Sequence, residues 1–361
     1  GVTTYNGIPF YADSSAASLY THDVSGTDDT AQYNTAYGFT AMDAITTGDQ
    51  NTAVGYGAGG ALTTGSNNAL LGYRAGLNLT TGHNNVAIGG NALLNEDGDG
   101  GNVAIGTSAL KDLNAGADAY NTAVGYVAGE NVSTGLYNTV LGGEALKTNV
   151  DGDKNTAIGF RALKSFEADT DGHGENTAVG SNAAENMSTG ANNVAVGQSA
   201  IGSGVTTGDY NVAVGHSAGL ALTSGAQNTI IGGLAGDALT TGVRNVAVGY
   251  NALSTEDTTG NAVAIGYQAL LSQNASSDSY NVAVGFKAGE AVTTGVQNTI
   301  IGGLAGDALR TGYYNTALGY KALSASISGR YATAVGFEAL ENENAANTET
   351  YNVAMGFQAG K

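Results

Sequence analysis

The 361-residue chain has no cysteine, no tryptophan and a single proline, Pro9. Without thiols, disulfide stapling and thiol chemistry are excluded, while the compartment stays open. Charge is sparse at 12% and mostly of one sign: 12 Lys and Arg against 31 Asp and Glu, a net charge of −19. Phosphate neutralisation needs clustered cations, so nucleic acid is not an expected partner. The acidic excess favours solubility instead. No apolar run approaches the ~18 residues of a membrane helix, and nothing has the form of a signal peptide. Direct insertion into a membrane is therefore not expected. The chain begins at Gly1 and stops partway through a repeat at Lys361, which reads as a processed chain or a fragment.

What is abundant is glycine, 57 residues, beside 42% hydrophobics. No Gly-X-Y period exists, which excludes collagen, and the apolar content is enough for a continuous core. The glycines follow a repeat, Asn-Thr/Val-Ala-Val/Ile-Gly-x-x-Ala. Its closing glycine occurs 19 times from Gly38 to Gly356, with 13 of the 18 spacings equal to 17 residues. So short a period over most of a chain predicts a solenoid, which grows along one axis without enlarging a single core. The expected fold is all-β: a parallel β-solenoid of about 19 coils over residues 34–361. Residues 1–33 do not fit the repeat and read as a terminal cap or as a joint to a preceding domain.

The columns of the repeat carry the next step. Positions two and four are Thr, Val, Ile, Leu or Met in nearly every copy and share one strand face, since side chains alternate with period two. Position three, on the other face, is Ala in 15 copies, as at Ala53, and Leu70, Val140, Ile230 and Ile300 in the rest. A strand apolar on both sides is buried on both sides. One chain supplies one interior, so the expectation is a partner surface against the Ala column, with Ala53, Leu70, Val140, Ile230 and Ile300 packing in the trimer or core. A parallel homotrimer would cover three copies equivalently.

Most of the aromatic residues fall into two columns. One follows the closing glycine, as at Tyr56 and Phe286; the other precedes the Asn, at Tyr33, Tyr120, Tyr137, Tyr210, Tyr280, Tyr314 and Tyr351. Flat rings one coil apart pack well, and an exposed row of tyrosines would suit a sugar chain. Tyr120, Tyr137, Tyr210, Tyr280, Tyr314 and Tyr351 are thus candidates for ligand contact. The returns come in two classes. One carries Thr-Thr-Gly, as at Thr63–Gly65; the other carries Ala-Leu and a longer acidic loop, as at Asn95–Asp99 and Asp169–Gly172. Insertions belong in such surface loops. Asp169, Asp171 and Glu175 are the candidates for a Ca²⁺ site, which needs several oxygen ligands, although the full EF-hand pattern is missing. No other cofactor is expected.

Two motifs imitate catalysis or cofactor binding. Gly55–Gly60 fits G-x-G-x-x-G, but no acidic residue lies between Asp49 and Glu96 to hold a ribose. Gly215–Gly219 fits G-x-S-x-G, but no histidine follows His216 in the chain. The four histidines lack metal-ligand spacing. An enzyme is not expected, and a twelve-residue identity between Asn228–Leu239 and Asn298–Leu309 points to growth by block copying, which suits a fibre.

Asn102–Gly106 and Asn261–Gly266 resemble the head repeat of trimeric autotransporter adhesins. The longer form, with Asn-Thr-Ala-Val-Gly-Tyr-x-Ala and Thr-Thr-Gly, is similar to repeats of bacteriophage tail fibres and related bacterial surface fibres. The resemblance covers residues 34–361. It implies a left-handed β-roll in an elongated homotrimer, extracellular, on a cell surface or a virion. The implied role is a shaft or head that attaches to a host-cell glycan or outer-membrane receptor. A purely structural spacer with no ligand of its own is the alternative.

Overall fold

The repeat's Asn-Thr-Ala-Val-Gly segment folds as a three-residue strand closed by a glycine that no other residue can replace. In the computed structural model Gly55 has φ +136°, and a Cβ there would lie 2.3 Å from the carbonyl oxygen of Gly72 in the next coil. An L side chain meets both a forbidden backbone region and a neighbouring backbone.

After the glycine the chain turns by alternating hand around the fixed alanine. Arg161 (φ 58°) and Leu163 (φ 50°) are left-handed on either side of Ala162, and the same alternation recurs from Thr40 to Gln358. Left-handed backbone is costly for such residues, and hydrogen bonding between coils offsets it. The Arg161 amide donates back to Gly143 (3.0 Å), while in the coil before, the Leu146 amide donates forward to Ala162 (2.9 Å). Successive amides thereby reach opposite neighbours.

The structure describes residues 2–5, 8–13, 17–21, 30–98, 100–168, 173–343 and 349–361. Among them there is no helix, and hence none long and apolar enough to cross a membrane. The chain divides into two compact units, residues 1–178 and 179–361. The first opens with an antiparallel meander, β1 (Val2–Tyr5), β2 (Ile8–Asp13) and β3 (Ser18–Tyr20). Strand β3 then pairs in parallel with β4 (Thr35–Tyr37), so the segment before the repeat is joined to the first coil by sheet hydrogen bonds. Parallel pairing continues in register through β11 (Thr156–Ile158): Ala53 lies against Leu70, and Val140 against Ala157. Strand β12 (Thr177–Val179) falls at the division between the units. The second unit stacks β13 (Val194–Val196) to β22 (Val353–Met355) in the same parallel register. Each unit is a parallel β-solenoid built from the 17-residue coil.

The two strand faces are exchanged relative to the sequence argument. Ala53, Leu70, Val140, Ile230 and Ile300 are at most 1% exposed and point into their own coil, whereas positions two and four point outward. The reason is room. The interior of so short a coil already holds the fixed alanine and a Leu-type column such as Leu62, Leu79 and Leu239, all fully buried. Little but Ala fits between them. The β-branched residues, which the pleated strand favours, are left on the outside.

A buried asparagine ladder stitches the coils together, a role that the recurrence of Asn alone did not reveal. The Asn138 side-chain oxygen accepts the Asn155 amide (2.9 Å) and the Asn155 side-chain NH₂ (3.1 Å), while its own NH₂ donates to the Gly152 carbonyl (3.0 Å). Two coils carry Ala262 and Ala332 in this column. Each of them provides a substitute acceptor from its interior Leu column. The Asn281 NH₂ donates to Gln273 Oε1 (2.8 Å), and the Asn352 NH₂ donates to Glu343 Oε1 (2.8 Å). Gln273 is in turn held by the fully buried Glu256, which also accepts the Thr259 amide.

Candidate interaction faces

The outward strand face is uniform in composition in both units. Its two columns are 38 positions of Thr, Val, Ile, Leu, Met, one Ala and one Tyr, with no charged residue, in a chain of net charge −19. Leu71, Leu141, Ile231 and Leu318 stand out from it and are more than a third exposed. An apolar surface of this regularity exceeds what scattered surface hydrophobics produce.

The aromatic column after the glycine borders this face on one side. Tyr250, Tyr267 and Phe286 form one stack, with ring centroids 5.8 and 5.4 Å apart; Tyr320, Phe337 and Phe357 form another at 5.4 and 5.3 Å. All these rings are between about two-fifths and three-quarters exposed. The cation that follows an aromatic folds back over its ring, as Arg161 does on Phe160 (4.8 Å) and Lys321 on Tyr320 (5.8 Å). The left-handed turn directs it there.

On the other side, the tyrosines that precede the Asn are exposed, and all six ligand candidates have positive φ. Tyr120 and Tyr137 stack at 5.9 Å, nearly parallel. Tyr314 and Tyr351 belong to one cluster through Tyr331, whereas among the described residues no ring contact joins Tyr210 or Tyr280 to another aromatic. Stacked in this way, the rings spend their faces on one another and turn edges and hydroxyls outward. Tyr351 donates its hydroxyl to Glu349 (2.7 Å), and that bond is the main reason its phenol is raised above its ordinary pKa. Burial, followed by the charges of Tyr313 and Glu349, raises Tyr331.

Charges gather around the turn after the aromatics. Hydrogen bonding to Arg161 and then Lys164 holds the Glu144 carboxyl below its usual range. Lys287 pairs with Glu290 at 3.0 Å. Asp237 and Asp307 are raised, mainly because burial disfavours their charge.

Of the Ca²⁺ candidates, Asp169 and Asp171 lie outside the described residues. Glu175 is ion-paired with Lys154 at 3.1 Å. Among the described residues no three His, Cys, Asp or Glu side chains gather as a metal group. Of the acidic stretch Asn95–Asp99, Glu96 is fully buried in the coil interior, in the position where other coils place Leu. Gly57 shares its left-handed conformation with Arg74, Val127 and Lys287 in the same column, and Ser217, also in that column, is 6% exposed. Both motifs are therefore phases of the repeat. No protein-family model, curated protein or solved structure matches this chain.

Proposed function

We propose that the chain is a structural fibre or adhesin segment, working as a parallel homotrimer with left-handed coils, whose surface attaches to a host cell. The supporting observation is the uncharged outward strand face. Like-charged acidic chains associate only where charge is excluded, and this face excludes it in every coil. In the second unit alone, ten strands at ~4.8 Å by five residues at ~3.3 Å, counting the strand and the aromatic column after it, cover roughly 800 Å². That is about the area each partner contributes to a standard stable interface. Three copies about a common axis would bury the face equivalently.

The tyrosine column that precedes the Asn and the loops would then be displayed outside the assembly, facing a glycan or outer-membrane receptor on a cell surface or from a virion. The block copy at Asn228–Leu239 and Asn298–Leu309 favours a second reading, a spacer whose length matters more than its surface. Light scattering on the purified chain tests assembly: three times the 35.8 kDa chain mass is expected, and a stable monomer at micromolar concentration overturns it. Labelled chain applied to bacterial cells and glycan arrays tests attachment. Saturable binding by this chain alone supports the adhesin, and binding that needs flanking segments supports the spacer.

A further inference from the structure

Among the described residues, eight of the twelve cations have a carboxylate within ion-pair distance, and Arg330 is not one of these eight. Among the described residues its guanidinium has no hydrogen-bond or ion-pair partner, Nε being buried without one; it lies over the Tyr313 ring, 4.4 Å from the centroid. Around it the tyrosine column is at its densest. Tyr314, Tyr331 and Tyr351 stack at 5.3 and 5.1 Å, and Tyr313 stands edge-on to both Tyr314 and Tyr331. Tyr313 and Arg330, each one residue ahead of a column tyrosine, widen the column at this corner.

We propose that this corner binds an anionic saccharide, its oxyanion on Arg330 and its sugar units along the phenol row of Tyr314, Tyr331 and Tyr351. The inference rests on the attachment reading and names the ligand class for it. A guanidinium presents paired donors that match a carboxylate or sulfate, and stacking on an aromatic ring fixes its plane in advance. Ring faces consumed by stacking leave phenol edges repeating once per coil at ~4.8 Å, about the length of one pyranose unit in an extended chain; the Tyr351 hydroxyl already donates to Glu349 (2.7 Å) and meets the sugar as an acceptor. Tyrosine gives such a ligand an apolar edge and a polar tip together. In an acidic chain, this unpaired cation is where an anion would be accepted.

The test is fluorescence anisotropy on the full chain with three labelled probes: oligogalacturonate, dextran sulfate and maltoheptaose. Wild type is expected to bind a charged probe at least about tenfold more tightly than the neutral one. The stronger of the two charged probes identifies the oxyanion. Arg330→Gln should weaken binding about tenfold or more, Arg330→Lys less, and Tyr314→Phe with Tyr351→Phe should weaken it without disturbing the stack. Arg74→Gln, which removes an equally stacked guanidinium at Tyr73 (5.0 Å), should leave it unchanged. Equal loss in Arg74→Gln and Arg330→Gln, or no preference for charged probes, overturns the site. Cell attachment is measured in parallel. Attachment undiminished in Arg330→Gln refutes the site and spares the attachment reading; no attachment by wild type refutes that reading separately.

Discussion

At the scale of single residues, stability rests on polar groups that are buried only because a neighbour one coil away satisfies them. Asn138→Ala leaves the Asn155 amide without its acceptor and removes a donor to Gly152. An orphaned buried group costs about 1–3 kcal/mol, so urea denaturation should show a loss of that size while exposed Thr139→Ala shows little. Titrating side chains act with opposite signs. Asp237 and Asp307 have folded pKa values above the ordinary 3.8, chiefly through burial. A raised carboxyl contributes stability that is complete below the unfolded value and is lost as pH rises through the folded one. At neutral pH both are ionised at a cost. Asp237→Asn and Asp307→Asn should therefore raise the melting temperature at pH 7, with the difference vanishing near pH 3. Glu144, held low by Arg161, runs the other way and loses its contribution on acidification.

Within the coil, volume is conserved between neighbours, and this explains the two classes of repeat. Leu70, Ile230 and Ile300 replace the strand alanine only where the flanking coils have Gly after the fixed alanine. A Cβ on Gly59 would lie 2.7 Å from Leu70, and one on Gly289 would lie 3.0 Å from Ile300. In most other coils that position is Leu, as at Leu93 and Leu163, in the same left-handed conformation. The glycine is thus there for space, with φ no obstacle to a side chain. Gly306→Leu should destabilise by overpacking against Ile300, and Ile300→Ala by leaving a cavity, each by about 2 kcal/mol or more. Combined, they convert the coil to the other class, and the double mutant should lose less than the sum, a coupling read by chemical denaturation. Much of this was legible in the sequence. The period, the strand and the closing glycine follow from spacing, because each coil meets the same environment. The direction of the Ala column was not, since period-two alternation tells which residues share a face but not which face has room inside. The pairing of Ala262 with Gln273 was hidden too, because the contact crosses to Asn281 in the following coil. The tyrosine cluster needed coordinates for a related reason: Tyr314 and Tyr351 were visible as members of a column, whereas Arg330 and Tyr313 belong to the neighbouring one.

For the whole molecule, the decisive question is what covers the outward face. Positions two and four could carry Lys or Glu at no cost to the interior, as solvent-facing positions on protected sheets usually do. Their uniform lack of charge is what the proposed assembly accounts for. Side chains there do not touch the core, so substitutions separate folding from assembly. Val248 and Val284 are outward and half-buried in coils whose interior partners, Ala247 and Ala283, are fully buried. Val248→Asp together with Val284→Asp should leave the circular dichroism of the β-solenoid intact. In a trimer the two changes place six carboxylates in one apolar interface, where unpaired charge is strongly disfavoured. Light scattering should then report the mass of one chain where a trimeric parent would give three. If the variant keeps the parent's mass, the outward face is not where copies meet. A control pair in the return segment outside the strand, Thr63→Asp with Thr223→Asp, should leave the mass unchanged. The same comparison on cells distinguishes a surface that requires assembly from one that does not: if attachment falls with the mass, the receptor reads features brought together from several chains, and if it survives, the binding elements belong to each chain alone.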